Sequence, residues 1–299
     1  MPPAASFAFV GRKNPEVYKT YLYLYQELCY NVVYRFHSEV IHLQYCGKTD
    51  VGMKRKVNQD NFSIKEYAPG ILLAVVCDGM GGARGGSEAS CTATDCFVSE
   101  MDSFVENYIT EHHTIECTDA QIHRALRSAA ETSNKAVFLR AEEDESLRGM
   151  GTTLVAVLIV GKTVYTVNVG DSRMYIVHGD HIEQITHDHS YVQYLVDTGR
   201  ITAEEARTAQ NRNIITRAVG TESSVDADVF VTEIDPAGNT VYALLCSDGL
   251  TNHIGEDELA QILCADTDVS AKTDTLVSRA NSYGGTDNIT AVVIKLENC

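Results

Sequence analysis

Residues 71–82 read ILLAVVCDGMGG, an unbroken apolar run followed by an aspartate and a glycine-rich turn. A short apolar run without alternating polar residues is typical of a strand that is covered on both faces. Asp78 therefore lies where a buried strand ends, with a rigid backbone and a carboxylate at the edge of the sheet. The glycines after it allow another chain segment or a ligand to approach the backbone closely. The stretch predicts a layered fold that presents an acidic side chain at one sheet edge.

Four more aspartates lie beside predicted strands in the same way, namely Asp60, Asp171, Asp248 and Asp287. Asp-Gly pairs are common in turns, so any one of these aspartates alone is better explained as a turn residue. Converging carboxylates would repel one another strongly unless cations lay between them. Carboxylate and carbonyl oxygens suit Mg²⁺ or Mn²⁺, whereas Zn²⁺ prefers histidine and cysteine. The repeated pattern thus indicates a magnesium or manganese site.

Strand and helix patterns alternate from Gly47 onward. Three apolar runs, joined by short turns, lie at 152–160, 163–169 and 173–177. Such short connections indicate that these three strands pair antiparallel. Helical patterns lie at 87–104, 118–141, 256–264 and 270–282. Ser87 is interpreted as the N-cap of the first of these helices. The order of strands and helices along the chain predicts an α+β fold with helices packed outside one or two antiparallel sheets.

The composition argues against several classes of function. The 299 residues carry a net charge of -17, which disfavours nucleic acid and anionic lipid as partners, because both select lysine and arginine surfaces. Nine cysteines without a CxxC pair indicate reduced, buried thiols. The longest apolar runs, such as 154–160, fall short of the roughly 18–20 residues that span a bilayer, and no signal-peptide pattern is present. We therefore expect a cytoplasmic protein without a membrane span.

Residues 1–46 differ from the rest of the chain. They contain seven of the fifteen tyrosines, and their apolar residues fit neither a helical nor a strand period. We interpret them as an N-terminal extension of unknown role, ahead of a domain at 47–299. A docking or membrane-surface segment, a packed or loosely ordered extension and a misassigned start of translation all stay open. Deletion of residues 1–45 is expected to leave activity intact.

The ordered motifs resemble those of the type 2C, metal-dependent protein phosphatases, the PPM family, and most of all its bacterial members. The resemblance extends from Gly47 to Lys295, and a set of this length and order is highly specific. The motifs are Thr49-Asp50-Val51-Gly52, Arg55 with Asn58-Gln59-Asp60-Asn61, Asp78-Gly79-Met80-Gly81-Gly82, Gly151-Thr152-Thr153, Val169-Gly170-Asp171-Ser172-Arg173, Asp188-His189-Ser190, Ile215-Thr216-Arg217-Ala218, Ser247-Asp248-Gly249-Leu250 and Asp287-Asn288-Ile289-Thr290.

The resemblance implies a four-layer α-β-β-α sandwich, with two central antiparallel sheets flanked by helices. It also implies a pair of Mn²⁺ or Mg²⁺ ions, with Asp78 as the bridging carboxylate. By similarity, the ligands of this pair are Asp60, Asp78, the backbone carbonyl of Gly79, Asp248 and Asp287. Asp171 matches the aspartate that, with Asp248, holds a third, weaker metal in bacterial members.

Arg55 matches the family arginine that clamps the substrate phosphate, and its planar guanidinium suits phosphate oxygens. A water shared by the metals, held by Asp60 and Asp78, would attack phosphorus in line with the leaving serine or threonine oxygen. Some members carry a histidine, proposed as the acid, where this chain has Met80, which cannot donate a proton. Gln59 stands where the family has glutamate, and it can still orient a water without carrying a charge.

The function implied by the resemblance is hydrolysis of phosphoserine and phosphothreonine in proteins, by a monomer that opposes a bacterial Ser/Thr kinase. Residues 188–213 match the family's mobile flap, which affects substrate choice. One alternative is a non-catalytic, phosphatase-like module that binds phosphoproteins. Such proteins usually lose one or more metal aspartates, and this chain retains all of them. Another is an enzyme of the same fold that acts on a phosphorylated anti-sigma antagonist.

Overall fold

The computed structural model describes residues 41–109, 115–179, 181–235 and 240–298, so residues 1–40, most of the predicted extension, lie outside the described residues. The strands are β1 (Ile41–Asp50), β2 (Asp60–Ala68), β3 (Ile71–Met80), β4 (Gly151–Thr152), β5 (Leu154–Val160), β6 (Thr163–Val169), β7 (Arg173–His178), β8 (His181–Gln184), β9 (Asp228–Glu233), β10 (Val241–Cys246) and β11 (Ile289–Asn298). The helices are α1 (Gly82–Tyr108), α2 (Asp119–Glu143), α3 (Tyr191–Asp197), α4 (Ala203–Thr208), α5 (Asp248–Thr251), α6 (Glu256–Cys264) and α7 (Val269–Ser282). Among these helices, none is long and apolar enough to cross a membrane.

The strands form two antiparallel sheets in the described part of the chain. The first sheet has the order β1-β11-β10-β7-β8, and the second has the order β2-β3-β5-β6-β9, with β4 beside β3. The short turn between β5 and β6 makes an antiparallel hairpin, as the sequence predicts.

The predicted pairing of β6 with β7 is wrong. β6 lies in the second sheet between β5 and β9, whereas β7 lies in the first sheet between β10 and β8. Gly170, with a φ of 110°, begins the turn that carries the chain from one sheet to the other. A Cβ there would lie 2.6 Å from Cγ2 of Thr153, so no larger residue fits the crossing. Asp171 lies in this turn, which connects the two sheets.

Three apolar clusters confirm the four-layer α-β-β-α sandwich. Alternate residues of β3, including Leu72 and Val76, pack between the two sheets. The residues between them, including Leu73 and Cys77, pack against α1 and α2. A third cluster lies between the first sheet and helices α6 and α7. The unbroken apolar run at 71–77 is therefore explained by burial on both faces.

α1 begins at Gly82 and not at the predicted Ser87. Glycine is a poor helix former, so the glycines before Ser87 argue against a helix when the sequence is considered alone. Close packing explains them: a Cβ at Gly86 would lie 1.8 Å from Nε2 of Gln59 and 2.8 Å from the carbonyl carbon of Gly79. Glycine at the start of α1 lets the helix approach the end of β3.

Residues 188–213, predicted as a flap, contain the short helices α3 and α4. An antiparallel bridge between Ser190 and Ile215 closes the base of this segment. The backbone N of His189 also donates to the O of Gly170 at 2.9 Å, so the segment starts beside the turn that crosses between the sheets. Its role as a flap stays a prediction.

β1 begins at Ile41, before the domain start predicted at Gly47. It pairs along its whole length with β11, and Ile41 and Leu43 are 1% and 8% exposed in the cluster between the sheets. Residues 41–46 are therefore part of the first sheet, not of an extension. A deletion of residues 1–45, predicted to spare activity, would remove the first half of β1 with its buried residues Ile41 and Leu43.

We expect Ile41→Ala to lower the free energy of unfolding by about 2–5 kcal/mol, because it removes buried methyl groups and leaves a cavity between the sheets. His42, its exposed neighbour on the same strand, provides the control, and His42→Ala should change the value by less than about 0.5 kcal/mol. Urea denaturation of both variants measures the difference. Equal effects would mean that β1 does not pack as described.

Candidate active site

Aspartates from both sheets lie at one edge of the molecule. In the second sheet, Asp60 opens β2 directly opposite Asp78, near the end of β3. In the first sheet, Asp248 follows β10 and Asp287 precedes β11, while Asp171 lies in the turn from β6 to β7. The charges of the other four aspartates all act on the carboxyl group of Asp78. The structure therefore brings together the five aspartates singled out in the sequence.

Asp60 is held by hydrogen bonds from the opposite sheet. Its Oδ2 accepts from Oγ of Ser247 at 2.7 Å and from Oγ1 of Thr290 at 2.7 Å. Oγ of Ser247 in turn accepts from the backbone N of Thr290 at 3.0 Å. Since Ser247 adjoins β10 and Thr290 lies in β11, these bonds fix the two sheets to each other at the edge where the aspartates meet.

Asp78 is positioned through its backbone. Its N donates to Oγ1 of Thr153 at 2.9 Å, and its O accepts from the N of Thr153 at 2.9 Å and from Oγ1 of Thr152 at 2.9 Å. These contacts leave the carboxyl group facing its acidic neighbours, whose negative charges raise the pKa of Asp78. Asp78 is thus the central carboxylate of the cluster.

The first sheet presents its carboxylates in fixed orientations. Nδ2 of Asn252 donates to Oδ2 of Asp248 at 2.9 Å, and the backbone N of Asn288 donates to Oδ1 of Asp287 at 2.8 Å. Each carboxylate is therefore anchored at one oxygen by a residue close to it in the chain.

Burial and like charge shift the protonation of these groups. Burial is the larger cause in each case, and it raises the pKa of Asp60 to about 6. It also raises the pKa of Asp78, Asp171 and Asp248 above the ordinary value. Neighbouring carboxylates raise the pKa of Asp78 further, while the bonds from Ser247 and Thr290 act against the rise at Asp60. The cluster therefore favours a bound proton or cation near neutral pH.

The donor atoms fit divalent cations. Three buried carboxylate oxygens have no hydrogen-bond partner among the described residues, namely Oδ1 of Asp60, of Asp171 and of Asp248. Buried polar atoms are normally paired, so these oxygens indicate a missing partner. Within the described ranges, no three His, Cys, Asp or Glu side chains surround a single ion position. A hydrated Mg²⁺ needs only one or two carboxylates, whereas a structural Zn²⁺ needs four ligands. The arrangement fits Mg²⁺ or Mn²⁺.

Arg55 reaches the cluster from the turn between β1 and β2. Its NH2 donates to Oδ2 of Asp287 at 2.7 Å, and this hydrogen bond raises the pKa of Arg55. Half of the side chain is exposed (50%), so the guanidinium keeps donors for an anion arriving from solvent. Arg55 therefore lies beside the aspartate cluster, and its role as a phosphate clamp stays a prediction.

Gln59 and Met80, the two departures from the family pattern, have structural contacts. Nε2 of Gln59 donates to the O of Gly82 at 2.7 Å, which fixes the start of α1. Met80 lies opposite Gly151 where β3 pairs with β4. Neither contact supplies an acid for a leaving group.

The residues that orient the aspartates were not identified as site residues from the sequence. Ser247, Thr290 and Thr153 all lie in the quoted motifs, and Asn288 also joins the two sheets, because its Oδ1 accepts from the N of Gln59 at 2.9 Å. The available signal is a polar side chain inside or beside an apolar strand, since a buried polar group must find a partner.

Comparison with known proteins agrees with this geometry. A family model described as protein phosphatase 2C matches residues 53–284. The chain is 40% identical over 248 residues to serine/threonine phosphatase stp of Listeria welshimeri, covering 83% of this chain and 94% of that protein. Its structure is similar to that of serine/threonine phosphatase Stp1 from Staphylococcus aureus, with a TM-score of 0.77 at 35% identity over 85% of this chain and 95% of that one. It is also similar to the catalytic domain of serine threonine protein phosphatase PstP in complex with two manganese ions, with a TM-score of 0.69 at 30% identity over 86% and 99% of the chains.

The family model covers β2 to β10 and four of the five aspartates, namely Asp60, Asp78, Asp171 and Asp248. The fold and the relatives therefore agree. The chain belongs to the protein phosphatase 2C family and is a protein serine/threonine phosphatase.

Proposed function

We propose that the chain removes phosphate from serine and threonine residues of proteins with divalent cations, two of which are held at the sheet edge described above. The proposed ligands of this pair are Asp60, Asp78, the backbone carbonyl of Gly79, Asp248 and Asp287. Asp171, with Asp248, is the proposed site of a third, weaker ion. The observation that carries the proposal is the convergence of buried carboxylates whose pKa values are raised by burial and mutual repulsion. The similar PstP structure, which contains two manganese ions, supports Mn²⁺ or Mg²⁺ as the metal.

The residues of the proposed site have separate roles in the reaction. Divalent cations bound here would lower the pKa of a water and neutralise charge on the phosphoryl group. Arg55 binds and orients the phosphate through the guanidinium donors that Asp287 does not use. Asp60 and Asp78 hold their positions through Ser247, Thr290 and the backbone of Asp78, so the site is formed before substrate arrives.

We further propose that the enzyme acts as a monomer in the cytoplasm and opposes a Ser/Thr protein kinase. Six cysteines are free thiols, which supports a reducing compartment, and these are Cys46, Cys77, Cys91, Cys96, Cys117 and Cys246. None of the described contacts favours the non-catalytic alternative, since each aspartate expected to bind metal is present and lies in the cluster.

Asp248→Ala should lower Mn²⁺-dependent hydrolysis of p-nitrophenyl phosphate and of a phosphothreonine peptide by more than about 100-fold. Substitutions that only support a ligand already cost roughly 10–100-fold, so loss of a ligand should cost more. Calorimetric titration with Mn²⁺ measures cation binding separately from turnover, and it should show weakened binding. Asp257→Ala is the matched control, because it removes an exposed carboxylate from α6.

Near-full activity of Asp248→Ala would remove the assignment of Asp248 as a ligand. Mn²⁺ binding by the wild-type protein without hydrolysis of either substrate would instead favour the non-catalytic alternative.

Asp78→Asn should stabilise the protein in EDTA at pH 7, because it removes the central like charge of the cluster. A pKa shift of one unit corresponds to about 1.4 kcal/mol. Removal of the upward shift at Asp78 should therefore give a free energy of unfolding at least about 1 kcal/mol above that of wild type. Carboxyl groups whose folded pKa is raised add stability at low pH, and that stability is lost as pH rises through the folded pKa, about 6 for Asp60. The advantage of Asp78→Asn should therefore shrink at pH 5.

Urea denaturation of both proteins at pH 5 and pH 7 measures this difference. Addition of Mn²⁺ should stabilise the wild type more than the variant. An Asp78→Asn protein that is less stable than wild type in EDTA at pH 7 would contradict the repulsion on which the site depends.

A further inference from the structure

The turn between β1 and β2 presents five exposed residues in a row beside the carboxylate cluster. Residues 53–57 read MKRKV, and all five are exposed. Two of them are apolar, with Met53 66% and Val57 43% exposed. Arg55, at the centre, is the residue that bonds Asp287. The substrate residues on either side of a phosphorylated residue bound at Arg55 must therefore lie close to this turn.

Both ends of the turn are fixed to the loop that carries Asp287. Nδ2 of Asn288 donates to the O of Val51 at 2.9 Å and to the O of Val57 at 3.0 Å, so a single side chain holds both ends. The N of Met53 also donates to the O of Gly285 at 2.8 Å. A surface held in this way binds a partner without the entropy cost of ordering itself.

The turn is positively charged, whereas the protein as a whole is acidic. The chain carries a net charge of -17, and eleven of its described lysines and arginines form ion pairs with acidic neighbours. Lys54 and Lys56 have no hydrogen-bond or ion-pair partner in the ranges that the structure describes, and they stand on either side of Arg55. Two unpaired cations beside the phosphate clamp favour an anionic group next to the phosphate.

We propose that residues 53–57 form a docking surface for the peptide around the phosphorylated residue, and that Lys54 and Lys56 select substrates with a second anionic group close to it. This inference rests on the proposed function. The second anion is an acidic side chain or another phosphate, because both present oxygens to a lysine ammonium. In an extended peptide neighbouring residues lie about 3.3 Å apart, so an anion within two or three residues of the phosphate reaches the turn. Met53 and Val57 give the rest of the peptide apolar contact.

A peptide fits this surface better than an anionic membrane does. Two exposed apolar side chains and two free lysines make a small patch, while the net charge of -17 repels a negatively charged bilayer. Arg55, at the centre of the turn, is also bonded to Asp287 and so faces the phosphate site. Substrate selection therefore accounts for the position of the turn as well as for its charge.

The test compares three phosphothreonine peptides that differ only at the two residues flanking the phosphothreonine, which are glutamine, glutamate or phosphoserine. At low salt, wild-type kcat/KM should be about 5- to 10-fold higher for each anionic peptide than for the glutamine peptide, since exposed ion pairs contribute up to about 1 kcal/mol each. In the double variant Lys54→Gln, Lys56→Gln this ratio should fall below about 2-fold. The double variant Arg124→Gln, Lys135→Gln removes the same charge from exposed residues of α2 and should keep the wild-type ratio.

Equal kcat/KM for the neutral and anionic peptides in wild type would overturn the proposal, as would a preference that survives in the lysine variant. Preference for only one of the anionic peptides would identify the source of the second anion. Sedimentation with phosphatidylserine vesicles tests whether the turn binds an anionic membrane, and binding that depends on Lys54 and Lys56 would assign the turn to a membrane instead.

Hydrolysis of p-nitrophenyl phosphate, which has no flanking residues, is measured in parallel. Its absence in wild type would mean that the proposed function has failed, not the docking surface.

Discussion

Repulsion among buried carboxylates is the constraint on which this structure depends. Burial and like charge raise the pKa of four acidic residues at one sheet edge, which are Asp60, Asp78, Asp171 and Asp248. Buried charges of one sign oppose folding unless a positive charge meets them, so an edge of this kind is poorly explained by stability alone. The same groups that weaken the free protein are the ones that would hold divalent cations. Stability and chemistry are therefore set by the same atoms.

The two sheets act together to hold this edge in place. Asp60 comes from the second sheet, but the hydroxyl groups that orient it come from Ser247 and Thr290 beside and within strands of the first. Gly170 lets the chain cross between the sheets and brings Asp171 into the cluster, and Gly86 lets α1 approach the end of β3. The apolar layers fix the distance between the sheets, and a few polar bonds then fix the direction of each carboxylate.

Much of this could be predicted from the sequence, because apolar runs and the acids that end them are local patterns. The run at 71–77 and the acidic residue after it were enough to predict a buried strand with a carboxylate at its edge. The pairing of β7 could not be predicted, because a three-residue turn looks the same whether a chain folds back within a sheet or crosses to another. Nor could the start of α1 or of β1, since Gly86 and Ile41 are explained only by what packs against them. Long-range contacts of this kind leave no local trace.

The most direct test of the central claim is a crystal structure of the protein grown with Mn²⁺, with anomalous diffraction collected at the manganese edge. Two strong anomalous peaks are expected at the sheet edge, with the carboxylate of Asp78 between them and Asp60, Asp248 and Asp287 in contact with one or the other. Anomalous peaks confined to other parts of the surface, with these carboxylates meeting only water or each other, would contradict that claim.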